Sequence, residues 1–161
     1  MSRTFTSFAL VTVLAGLLTA LCLAVANHGY PVGSMGAKRL DDIAGAATFL
    51  PLAAVYFFSA MLMMVLPIRA AGFVLTNAAD ALFWATIVLF ATIVGNLIAR
   101  RAFGQTDALW LLWNWRFLLV AAVVACHLGI NDLRRNVLLR SLFLVVFAAA
   151  VLACLFWTFR A

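Results

Sequence analysis

The sequence predicts an all-α fold, a polytopic membrane protein built as a bundle of about five transmembrane helices. Three observations lead there. Of 161 residues, 68% are apolar and only 10% charged, against roughly a quarter charged in an ordinary soluble domain, so the surface of a water-soluble fold would be mostly bare hydrocarbon. The charges also leave long apolar runs between them, and a hydrocarbon core of about 30 Å needs about 20 such residues at a rise of about 1.5 Å each. No run alternates with period two, which excludes a transmembrane β-barrel. Three cysteines, three prolines and fourteen phenylalanines exclude disulfide-framework, collagen-like and disordered chains.

Five runs read as helices, at about 8–26, 43–66, 71–99, 109–128 and 141–159. The first also has the outline of a secretory signal, because Arg3 precedes it and Ala24-Val25-Ala26 resembles a cleavage site. Its length exceeds the core of a signal, about 7–15 residues, which favours a retained helix. Cys22 follows Leu21, where a lipoprotein anchor would need a small residue. Asn27, Gly29, Pro31, Gly33 and Gly36 make the first connection irregular, and Asp41 with Asp42 offers N-cap oxygens to the second helix.

Pro67 and Arg69 read as a tight second turn, Arg100, Arg101 and Gly104 as the end of the third helix, and 131–135 as a polar hinge before the fifth. No connection is long enough to hold a soluble domain, so residues 1–161 read as a single transmembrane helical domain. Orientation is undecided by charge. Arg3, Arg69, Arg134, Arg135 and Arg140 would share one side, and Lys38, Arg39, Arg100, Arg101 and Arg160 the other. The dense group Arg134, Arg135 and Arg140 favours an inward N-terminus. The net charge of +6 then reads as contact with anionic headgroups of the lipid bilayer. Nucleic acid is not an expected partner, because no basic aqueous stripe is interleaved with stacking aromatics.

Several residues invite a chemical reading, each against a plainer one. His28 and His127 are weak candidates for a metal or haem ligand. With five helices, His28 follows helix one and His127 ends helix four, on opposite membrane faces, so a bis-histidine site is not expected. Cys22, Cys126 and Cys154 lack C-x-x-C spacing and read as small buried apolar groups. Met61, Met63 and Met64 read as packing residues. Asp80 is the carboxylate inside an apolar run, with Thr76 and Asn77 one turn earlier. An intramembrane acid marks either an interhelical hydrogen bond or an ion or proton path, so Asp80 is a possible intramembrane polar site and the seat of a transport alternative.

The densest local feature is Trp110, Trp113, Trp115 and Arg116. Indoles favour the headgroup level, so one reading is an aromatic belt with a snorkelling arginine. In the other, Trp110 and Trp113 share a helical face, Arg116 continues the row, and together they form a ligand-binding platform. A flat hydrophobic molecule would stack on the indoles while the guanidinium forks onto its carboxylate.

At these residues the chain resembles the haem-handling membrane proteins of cytochrome c assembly, of the CcmC and CcsA type. Gly95, Ala99, Ala102, Phe103 and Gly104 are similar to the family's lead-in, and Trp113, Asn114, Trp115 and Arg116 stand where its tryptophans, an aspartate and a basic residue would be. The order of elements agrees too, with Arg39 in a glycine-bearing first loop and Asp132 and Arg134 before the last helix. The sequence departs from the pattern at Asn114 or Leu112, which replaces the acidic residue, and near Ala44, where the family has a haem-ligating histidine. The resemblance implies an accessory haem-handling or cytochrome c biogenesis-like protein of a bacterial-type inner cell membrane. Such a protein would shelter haem without gripping its iron and without catalysis of its own, among other membrane proteins. The alternatives from other classes are a small non-catalytic structural subunit of a larger membrane complex, and a small transporter using Asp80.

Overall fold

The computed structural model describes residues 2–43, 48–65 and 68–160. The fold is all-α: six α-helices and two short 3-10 helices, with no strand among the described residues. They are α1 (Ser2–Asn27), α2 (Pro31–Ile43), α3 (Phe49–Val65), α4 (Ile68–Ala102), α5 (Leu118–Arg135) and α6 (Val137–Arg160). The 3-10 helices are Ala108–Trp113 and Trp115–Phe117. Four spans, Ser2–Asn27, Val74–Ala102, Trp115–Arg135 and Val137–Arg160, are long and apolar enough to cross a membrane, and Phe49–Val65 is a shorter apolar helix. The chain is a membrane protein. The second expected crossing, 43–66, is described as helix over Phe49–Val65, while 44–47 and 66, like Pro67 of the expected turn, lie outside the described residues.

The chain divides into two compact units, one of residues 1–46 and 87–115 and the other of 47–86 and 116–161. In the first, α1 and the second half of α4 run parallel. Phe8 meets Phe90 with ring centroids 5.7 Å apart, and further along both helices Gly16 meets Gly95, with a Cβ built on Gly16 only 3.3 Å from the Gly95 carbonyl oxygen. Small residues let two backbones approach this closely where lipid offers no hydrophobic drive between helices. Both helices then stop in the same manner. Gly29 and Gly104 adopt φ of 85° and 95°, the region glycine enters without penalty. The amides of Tyr30 and Gln105 return to the carbonyls of Val25 and Arg100, and those of Gly29 and Gly104 to Ala26 and Arg101, which is the Schellman closure of a helix.

α2 corrects the sequence reading of the first connection. Pro31 opens the helix, a position where its missing N–H costs nothing, and Gly33 and Gly36 serve close packing instead of a turn. A Cβ at Gly33 would stand 2.4 Å from the nitrogen of Ala26 and 2.5 Å from the oxygen of Cys22, so α2 lies against α1. Asp41 and Asp42 therefore occupy the last turn of α2 and do not cap the next helix. A carboxylate at a helix C-terminus opposes the dipole. For Asp41 this is offset by Arg100, which forms an ion pair with it, and by the side-chain amide of the buried Asn96, which donates to it at 2.9 Å.

In the second unit α3 and α6 are antiparallel. The Phe57 and Phe147 rings stack at 6.0 Å, and Arg140, in the first turn of α6, donates from Nε to the Met64 carbonyl near the end of α3. α3 and α5 are parallel, with Phe49 edge-on to Phe117 and Tyr56 bonded to His127. The expected fourth helix, 109–128, is corrected to α5 at 118–135. Its start is delayed by the 3-10 segment, and its end lies beyond Asp132 because Arg134 and Arg135 in the last turn suit the dipole. The expected polar hinge at 131–135 is corrected too: those residues are the last turns of α5, and the break falls at Asn136, which leaves the helix at φ −101° and ψ 120° and accepts the Leu138 amide on its side chain at 3.1 Å. It thereby N-caps α6.

Candidate functional site

The tryptophan segment leaves α4 at Gly104 and is tied back to that helix by its last arginines. Arg100 donates to the Gln105 side chain at 3.3 Å and Arg101 to the Thr106 carbonyl at 2.6 Å. From Ala108 to Trp113 the chain forms a 3-10 helix, in which residues three apart eclipse. Trp110 and Trp113 therefore stand on one side, 72% and 82% exposed. Asn114 is extended, with ψ 131°, so the row stops there, and Trp115 and Arg116 belong to the next short helix. The continuous α-helical row expected from Trp110 to Arg116 is not formed: two helices of three residues per turn replace it. Gly104, Gln105, Thr106, Asp107, Ala108 and Leu111 line an open cleft of about 510 Å³ beside the exposed indoles.

His28 is exposed in the turn after α1. Because α1 and α4 are parallel, His28 and the tryptophan segment lie at the same end of the first unit. Groups of three or more His, Cys, Asp or Glu able to hold a metal do not occur among the described residues. The segment 104–117 contains no histidine, so a haem there would be held by stacking and by its carboxylates, with no ligand to iron from the segment itself.

The second polar feature lies inside the other unit, and sequence reading had only two of its three members. Nε2 of His127 is 3.1 Å from Oδ1 of Asp80, and Nδ1 is 3.2 Å from the Tyr56 hydroxyl. The imidazole lies flat on Phe83, with centroids 4.2 Å apart and planes 8° from parallel. Tyr56 is completely buried. The Asp80 side chain is 53% exposed. His127 does not end its helix as expected: α5 continues to Arg135, about 12 Å further on at 1.5 Å per residue, which sets the imidazole deep within the span.

An ionised Asp80 can only accept, so the proton of a neutral His127 sits on Nε2, and Nδ1 is left to accept from the Tyr56 hydroxyl. Tyr56 was missed because a tyrosine in an apolar run reads as packing. Its hydroxyl was the available signal, since a buried phenol needs a partner.

The cysteines are free and widely separated in the chain, and Met63 and Met64 are buried among the apolar residues of α3. Comparison with protein-family models, with curated proteins and with solved structures finds no match to this chain.

Proposed function

We propose that the protein is an accessory, non-catalytic membrane protein of a bacterial-type inner membrane that shelters a flat, amphipathic, carboxylate-bearing molecule of the haem type and passes it to another membrane protein. The observation that carries this reading is the pair of outward indoles, Trp110 and Trp113, eclipsed on a short turn at the same end of the unit as the exposed His28. Two exposed indoles three residues apart on one short turn offer apolar aromatic surface to a flat ligand. Arg101 is spent on Thr106, which fixes the loop and leaves the indoles free to meet a ligand. A tetrapyrrole carries a broad π-face, the feature that the two exposed indoles can meet.

The test is haem titration of the detergent-solubilised full-length protein, followed by the absorbance of the bound chromophore. Binding is expected to weaken at least about tenfold on Trp110→Ala or Trp113→Ala, a loss of about 1.4 kcal/mol, and His28→Ala is expected to change the band position if the imidazole reaches the iron. An absorbance shift that survives Trp110→Ala, Trp113→Ala and Arg116→Ala together would remove the platform as the binding site.

A further inference from the structure

We infer that Tyr56, His127 and Asp80 form a one-proton site within the membrane-spanning part of the chain, loaded and unloaded through the half-exposed carboxylate of Asp80. This goes beyond the ligand platform, which shares no residue with it.

The inference starts from what each group can do. Asp80 lies 11 residues after Arg69 and 20 before Arg100 on α4, about 16 Å and 30 Å along the axis. A hydrocarbon core of about 30 Å centred on that stretch would include Asp80. A carboxylate at that depth is costly unless it is paired or protonated. One of its oxygens lies 3.1 Å from Nε2 of His127, and no further polar partner meets the carboxylate among the described residues. The imidazole faces Asp80 with one nitrogen and Tyr56 with the other, and one of its faces is covered by Phe83. It therefore cannot turn to bring the carboxylate another donor.

The proton count follows. With Tyr56 donating to Nδ1 and Nε2–H donating to an ionised Asp80, the trio carries one negative charge. One added proton, taken on the outer oxygen of Asp80, makes it neutral, and both hydrogen bonds are kept. A medium of low dielectric favours that neutral form. The Nε2–H bond opposes it, because a hydrogen bond to an ionised acceptor is roughly twice as strong as a neutral one.

The groups around the trio are few. On α5, Cys126 is beside Tyr56. α6 packs on α3 through Phe147, and α4 supplies Phe83. Because the three members sit on α3, α4 and α5, loading weakens the tie between α4 and α5 while leaving the Tyr56 to His127 bond intact. Proton occupancy is thereby converted into a difference in how firmly α4 is held.

The experiment is labelling by dicyclohexylcarbodiimide, a lipid-soluble reagent that adds a protonated carboxyl across its C=N bond and leaves no by-product. The full chain is reconstituted in vesicles of phosphatidylcholine and phosphatidylglycerol, and the adduct is located by peptide mass spectrometry across a pH series. Asp80 is expected to label in preference to Asp41, Asp42, Asp107 and Asp132, with a rate that falls as pH rises. His127→Gln removes the ring donor, so labelling should persist to higher pH and run about tenfold faster at a fixed pH where the parent labels slowly. Tyr56→Phe, which leaves the fold's apolar contacts in place, should shift the profile in the same sense by less, since the phenol acts through the imidazole. An unlabelled Asp80 in a chain of normal helicity, or a labelling profile that neither His127→Gln nor Tyr56→Phe moves, would overturn the inference.

Discussion

Gly95→Ala is the most direct test of how the first unit is assembled. A Cβ at this position would stand 2.3 Å from the Thr12 carbonyl oxygen, 2.9 Å from the Gly16 nitrogen and 3.0 Å from the Ala15 Cβ. Carbon and carbonyl oxygen approach to about 3.3 Å even in a favourable contact, so α1 must retreat from α4 by about 1 Å. Two of the three opposing atoms are backbone, which cannot rotate away. Overpacking of this kind costs about 1–3 kcal/mol, and the upper half of that range applies when backbone is the obstacle. Replacing glycine in a helix returns about 1 kcal/mol of propensity. The net expectation is a loss of about 1–2 kcal/mol.

Gly129→Ala on α5 is the internal control, because nothing lies within 4 Å of a Cβ there and only the propensity gain of about 1 kcal/mol remains. The two variants should therefore differ by about 2–3 kcal/mol in unfolding by sodium dodecyl sulfate in mixed micelles, followed by far-ultraviolet circular dichroism. Equal midpoints for Gly95→Ala and Gly129→Ala would refute the close crossing of α1 and α4.

Asn96→Ala should destabilise the same unit by about 1–2 kcal/mol, because the buried amide bonds both Asp41 and Arg100 and each such bond contributes about 0.5–1.5 kcal/mol; unfolding in mixed micelles measures it. Arg140→Ala should cost about 1–2 kcal/mol by leaving the Met64 carbonyl at the end of α3 without its donor, and Arg140→Lys should recover part of that loss in the same assay. Gly104→Ala, at φ 95°, should cost about 1–2 kcal/mol, with Gly104→Asn closer to the parent. Trp113→Ala, in contrast, should leave the unfolding midpoint unchanged within about 0.5 kcal/mol, since the indole is mostly exposed.

Helices α1, α4 and α6 were legible to within a few residues of the apolar runs, because in lipid a long charge-free stretch has few other ways to satisfy its backbone. α2 was not. Proline and two glycines between 31 and 36 are turn signals in a local reading, and only the nearness of the α1 backbone to Gly33 shows that these glycines serve a helix–helix contact. The start of α5 was misjudged for a related reason. Apolar count cannot tell an α-helix from the 3-10 turns of 108–117, since both carry the same side chains and differ in hydrogen-bond span.

The polar trio shows the limit more sharply. Tyr56 and Asp80 are 24 residues apart, and His127 follows 47 later, so no motif spacing joins them. Each looks like a single polar group in an apolar helix. What joins them is rotational phase, set by packing: Phe49 on Phe117 fixes the register of α3 against α5, and Phe83 against the imidazole fixes α4. That register is a property of aromatic contacts far apart in the chain. The same contacts explain why two of the three members were recognisable singly. An acid or an imidazole in an apolar run is costly enough to be noticed alone, whereas a tyrosine is not, and its part in the site emerges only once its hydroxyl is seen to complete the second nitrogen of His127.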